Sequence, residues 1–322
     1  MAKPLSEQVV VITGASSGIG RETALRLAGR GAKVIVSARS DEALDELVGQ
    51  ITSAGGEATS ISADVSIYSD VEALASGAVE KYGRIDTWVN NAGVLIVGEF
   101  ENTDLDEARR LFDVNFWGEL HGCKAVLPIM KSQGGGTIVN VTSVTARRPL
   151  PLMSVYSASK AALNGLSEGL RTELEGTGVE LCIVMPATID TPLFEHARSK
   201  EGVAPRPVPP IYPPSEVARA IERVAEKPQR QIFAGPAGIG FHVGNFLMPD
   251  VLDKALAKFG WTQLTSQPEP PRGNDNLNRG MGETPGRTSG GWRGRRYKGI
   301  ELASRIGLGL AALFLVRKLV RR

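Results

Sequence analysis

Val9-Val10-Val11-Ile12-Thr13-Gly14-Ala15-Ser16-Ser17-Gly18-Ile19-Gly20-Arg21 decides the architecture. Val9-Val10-Val11-Ile12, all β-branched, reads as a buried strand. From Ile19 to Gly29, Ala24, Leu25, Leu27 and Ala28 repeat at helical spacing. Between strand and helix lies Gly-x-x-x-Gly-x-Gly. Glycines there allow a tight turn and let the backbone approach a pyrophosphate, and a helix N-terminus offers free N–H groups and a favourable dipole. In this strand–turn–helix setting the motif predicts a nucleotide site at Gly14, Ser16, Ser17, Gly18, Ile19 and Gly20.

Outward from this unit the pattern repeats. Lys33-Val34-Ile35-Val36 is a second strand, and 41–54 a helix with Ala43, Leu44, Leu47, Val48 and Ile51 on one face. Further strands are expected near 59–62, 87–90, 137–141, 179–185 and 231–234, with helices near 71–82, 106–131, 155–175 and 215–226. Strands alternating with helices of ten or more residues indicate an α/β fold: one doubly wound, Rossmann-like domain over 1–262, its mostly seven-stranded parallel sheet covered on both faces. Such sheets bind ligands beyond the carboxyl ends of their strands. The second strand ends in Val36-Ser37-Ala38-Arg39. An acid in this region would bond a ribose 2′-hydroxyl and select NAD. Arg39 instead suits a 2′-phosphate, so NADP is the expected coenzyme, with NAD the alternative. Asp64-Val65 follow the third strand, where a carboxylate can accept from an adenine amino group or cap the next helix.

Tyr156-Ser157-Ala158-Ser159-Lys160 opens another helix. At that spacing tyrosine and lysine share a face, one turn apart. A phenol titrating near ~10 is a poor proton shuttle at neutral pH, and a neighbouring ammonium favours its ionised form. Ser143 ends the strand Thr137-Ile138-Val139-Asn140-Val141, thirteen residues before Tyr156; Asn90-Asn91-Ala92-Gly93 end another; Asn115 lies within a helix. Together these features resemble the short-chain dehydrogenases/reductases over roughly residues 6–235.

That resemblance implies an oxidoreductase passing a hydride between NADP(H) and a ketone, aldehyde or secondary alcohol. Tyr156 would be general acid or base, Lys160 would lower its pKa and hold the nicotinamide ribose, and Ser143 would polarise the carbonyl. Asn115 would position a relay water. Asn91, Ala92 and Gly93 would flank the adenosine ribose, and Pro186 and Thr191 the nicotinamide amide. The usual Pro-Gly after the sixth strand is Pro186-Ala187 here. A homodimer or homotetramer is implied as well. The alternative is a non-catalytic nucleotide-binding sensor or tethered scaffold on the same fold; such proteins usually lose the Tyr or the Lys, and both are present.

The remaining features set the boundaries. Residues 188–214 break the alternation with seven prolines (Pro192, Pro205, Pro207, Pro209, Pro210, Pro213, Pro214), as a substrate lid would. Before Tyr156, Arg147-Arg148 could meet an acidic substrate or simply solvent, and Leu150, Leu152 and Met153 could line a pocket. Two isolated cysteines, Cys123 and Cys182, suit a reducing compartment, and no metal-ligand spacing occurs. The N-terminus lacks signal-peptide character, so a cytoplasmic chain is expected. From Trp261 onward 12 Lys+Arg stand against 4 Asp+Glu, and the body is mildly acidic. A flexible Pro/Gly/Arg-rich linker is expected at 263–298. An apolar helix at 299–322, bracketed by cations, would anchor in or lie on a membrane, or pack on protein. Nucleic acid is not an expected partner: the basic run is short and holds a single tryptophan, Trp292.

Overall fold

The computed structural model describes residues 3–202, 204–265, 275–278, 280 and 286–293. Seven strands form one parallel sheet: β1 (Val9–Thr13), β2 (Lys33–Ser37), β3 (Glu57–Ser60), β4 (Thr87–Asn90), β6 (Gly136–Val141), β7 (Val179–Pro186) and β9 (Gln231–Ala234), in the spatial order β3-β2-β1-β4-β6-β7-β9. The chain builds outward from β1 through β2 to β3, then returns to place β4 on the other side of β1. The loops leaving β1 and β4 therefore diverge and open a crevice at the carboxyl edge. A second, two-stranded pair joins β5 (Ile96–Val97) to β8 (Arg198–Ser199), an element the sequence pattern does not announce.

Side-chain alternation along the strands splits the core in two. Val10, Ile12, Val34 and Val36 face α1 (Gly18–Ala28), α2 (Asp41–Ser53) and α7 (Pro214–Glu226), meeting Leu27, Leu44, Leu47 and Ile221. Val9, Val11, Ile35 and Trp88 face α3 (Tyr68–Tyr82) and α5 (Gly118–Ser132), meeting Leu74, Val126 and Met130. α6 (Ser154–Glu173) lies beside β7 on that second face. The helix expected over 106–131 is α4 (Leu105–Phe112) continued into α5 through one π-helical turn, Asp113–Trp117. Beyond β9 two helices not expected from the sequence appear, α8 (Ala237–Leu247) and α9 (Pro249–Thr265). α8 turns Ile239, Val243 and Phe246 outward, the last 84% exposed.

The proline-rich insertion is tied at its base. Tyr212 N–H donates to Thr188 O at 2.9 Å and Asp190 N–H to Tyr212 O at 2.8 Å, while β8 pins its middle to β5. Parts of the expected linker are packed: Leu277 is 1% exposed within the second core, and Trp292 rests against it. Among the described residues no helix is long and apolar enough to cross a membrane. The expected C-terminal helix at 299–322 lies outside the described residues.

Candidate active site

The glycine loop is shaped by its neighbour across the crevice. Gly14 has φ 66°, and a Cβ there would come 2.7 Å from Ala92 Cα, so only glycine fits. Thr13 Oγ1 accepts from the amides of Asn91 (3.1 Å) and Ala92 (3.3 Å). Asn91 Nδ2 donates back to Thr13 O at 2.9 Å and Gly14 O at 3.2 Å. The Asn91 amide therefore staples the two loops together. Ser17, extended at φ −155°, precedes α1 and makes no side-chain capping bond. The first-turn amides of α1 are left to other partners, an arrangement that suits an anion.

At the far end Arg39 and Asp64 face the same cavity. Asp64 accepts from Ser66 N (2.9 Å) and Oγ (2.7 Å) and from Arg110 Nη2 (2.9 Å). Burial pushes its carboxyl up, but Ser66 and Arg110 outweigh this and hold it below its ordinary value. Both carboxylate oxygens are thus engaged within the chain. The Arg39 guanidinium donates to Asn276 O at 2.6 Å.

The catalytic candidates converge at the other end. Ser143 closes β6, and its Oγ accepts from Thr145 N (3.1 Å) and Thr145 Oγ1 (2.9 Å), so its own hydrogen is what it can give to a substrate. One turn of α6 carries Tyr156 and Lys160, 9% and 3% exposed. Burial raises the Tyr156 phenol above its ordinary pKa. Lys160 and the Ser143 hydrogen bond pull it down, and Glu119 pushes it up again. Lys160 Nζ donates to Val141 O at 3.0 Å and to Glu119 Oε1 at 2.7 Å. Glu119, 2% exposed on the first turn of α5, was not singled out from the sequence. Burial pushes its carboxyl up to about 7, with Lys160 pulling the other way.

A buried polar seam sets the position of α6. Asn90 Nδ2 donates to Asn140 Oδ1 (2.9 Å), and Asn140 Nδ2 to Ser167 Oγ (2.9 Å), joining β4, β6 and α6. Asn115 Oδ1 accepts from Val94 N at 2.8 Å and its Nδ2 donates to Val94 O at 2.9 Å. That side chain is spent on the loop after β4, and any relay through Asn115 falls to its backbone. Arg147 pairs with Glu168 and Arg148 with Asp253, so both arginines already hold carboxylates of this chain.

One cavity collects Gly14, Ser16, Ser17, Gly18, Ile19, Arg39, Asp64, Val65, Asn91, Ala92, Gly93, Ser143, Tyr156, Lys160, Pro186 and Thr191. Gly20 and Asn115 stand behind it: a Cβ on Gly20 would collide with Gly14 O, and Asn115 is fully buried. Around Tyr156 the wall is apolar, with Leu150, Met153, Leu193, Phe194, Val208 and Phe241. Phe241 comes from α8 and had no signal in the sequence motifs. Asn276 and Gly280 close the cavity from outside.

A family model described as short chain dehydrogenase matches residues 8–202. An uncharacterized oxidoreductase, YxnA of Bacillus subtilis, is 38% identical over 92% of this chain and 85% of its own length. A 3-oxoacyl-[acyl-carrier-protein] reductase of Synechocystis is 35% identical over 72% of this chain and 94% of its own. Among solved structures, a short chain dehydrogenase/reductase of Burkholderia phymatum in complex with NAD superposes with a TM-score of 0.68 at 29% identity, covering 78% of this chain and 96% of that one.

Proposed function

Since this chain belongs to the short-chain dehydrogenase family, and is an NAD(P)-dependent oxidoreductase of CH–OH donors, we propose that it uses NADP(H) and acts on an apolar ketone, aldehyde or secondary alcohol of modest size. The observation that carries this is the single cavity with Ser143, Tyr156 and Lys160 at one end and Arg39 at the other. The residues fit a dinucleotide: a left-handed glycine loop, an α1 N-terminus without a side-chain cap and a cation at the adenosine end. The nicotinamide supplies or accepts the hydride. Tyr156 delivers the proton to the developing alkoxide, or removes it from an alcohol. Ser143 donates a hydrogen bond to the same oxygen and favours its negative charge. Lys160 offsets part of the burial that holds the Tyr156 proton in place.

The apolar wall at Leu150, Met153 and Phe241 supports an uncharged substrate, as does the pairing of Arg147 and Arg148 within the chain. Outward-facing Phe100, Leu105 and Trp117, around α4 and the start of α5, support assembly into a homodimer or homotetramer. The apolar face of α8, exposed among the described residues and next to cavity-lining Phe241, and the apolar-basic sequence at 299–322 support a membrane surface as the source of substrate. A panel of carbonyls and alcohols, each run with both coenzymes, tests the proposal. Turnover of apolar carbonyls with NADPH is expected. Tight NADPH binding without turnover of any member would favour a non-catalytic sensor instead.

A further inference from the structure

We propose that residues 275–278, 280 and 286–293 supply the outer wall of the dinucleotide site, and that this strap holds the bound coenzyme in place. The inference rests on the dinucleotide reading above. The described parts of this segment touch all three stations of the cleft. At the adenosine end, Asn276 O accepts from Arg39 Nη2 (2.6 Å) and Leu277 O from Arg110 Nε (3.1 Å). At the glycine loop, Arg287 O accepts from the Gly18 amide at 2.9 Å. At the loop after β7, Trp292 N donates to Asp190 Oδ1 (2.8 Å) and Trp292 Nε1 to Thr191 O (3.0 Å), while Ser289 Oγ donates to Asp190 Oδ2 (2.9 Å). Arg287 also pairs with Glu195, and Asn276 N–H donates to His196 O.

The glycine content of the segment has a steric reason. A Cβ on Gly286 would run into Arg21 and Ser16 O, and one on Gly290 into Thr191 O. The backbone lies flat on the cleft because it carries no side chain at these points. The cavity stays continuous beneath it, with Asn276 and Gly280 in its lining, so the strap covers the cleft and leaves room inside. It lies outside the matched family region, residues 8–202. The similarity to the Bacillus subtilis oxidoreductase leaves only about 26 residues of this chain uncovered, so it extends into the strap.

The test compares the full chain with Gly290→Val, which lifts the strap by collision, and Trp292→Ala, which removes an anchor. NADPH release is followed by stopped-flow fluorescence, and tryptic cleavage at Arg287 and Arg293 of the native chain with and without NADPH. Release should quicken by at least about tenfold in both variants, as for the loss of one or two such contacts. NADPH should slow the cleavage. Unchanged or slower release, or cleavage accelerated by NADPH, would overturn the strap while leaving the coenzyme reading intact. A native chain that binds neither NADPH nor NADH would overturn both.

Discussion

Replacing Glu119 by glutamine isolates the buried acid beneath Tyr156 and Lys160. Glutamine keeps the volume and an acceptor for Lys160 Nζ, now 2.7 Å from Glu119 Oε1, but it cannot ionise. Burial raises Glu119 from an ordinary 4.5 to about 7. The folded chain thus holds this proton more tightly than the unfolded chain does. The resulting stability is fully present below about pH 4.5 and lost as pH rises through about 7. At about 1.4 kcal/mol per pH unit, that window is worth roughly 3 kcal/mol. Urea midpoints at half-unit steps from pH 5 to 8 should fall with pH in the native chain, and the slope should flatten in Glu119→Gln. Absolute stability also changes, because Lys160 loses its counter-ion, so the slope is the readout.

Activity supplies a second readout. An ionised Glu119 opposes Lys160 at Tyr156, so its removal should lower the phenol's apparent pKa. A unit charge just beyond the lysine, at an interior screening, contributes roughly 1–2 kcal/mol, or about one pH unit. The acid limb of alcohol oxidation should move down by that amount, with KM little changed. A variant that keeps both the native stability slope and the native pH–rate profile would refute this account of the Lys160–Glu119 pair.

Other outcomes follow from the same geometry. Tyr156→Phe should lower kcat by about 10²–10⁴ while coenzyme binding, followed by fluorescence, is kept. Arg39→Asp should swing the NADPH/NADH ratio of kcat/KM toward NADH by about 10–100-fold, the worth of a charge-assisted phosphate contact; an unchanged ratio would contradict the role given to Arg39. Asn140→Ala leaves Asn90 and Ser167 without their buried partner and should cost about 2–4 kcal/mol in urea unfolding. Burial pushes the Cys123 thiol up to about 12 and Cys182 up to about 11, so neither should react with a disulfide reagent at pH 8 until the chain unfolds.

The features legible in the amino-acid sequence are local and periodic. Gly14, Gly18 and Gly20 between a β-branched run and an amphipathic helix, Tyr156 and Lys160 one turn apart, and strand–helix alternation all act over a few residues. Such short-range constraints survive in a linear reading. The seven-stranded parallel sheet was legible for that reason, and most of the expected site residues line one cavity. Contacts between residues far apart in the chain emerge only once the chain is folded. Glu119 meets Lys160 41 positions away, and nothing in the run around Glu119 signals a buried acid. Asn115 sits in the expected helix, yet Val94 takes both ends of its amide. Phe241, Asn276 and Gly280 line the cavity from stretches without a motif. The glycine-rich segment reads as linker because composition records missing side chains, whereas the reason they are missing lies across the cleft, at Arg21 and Thr191.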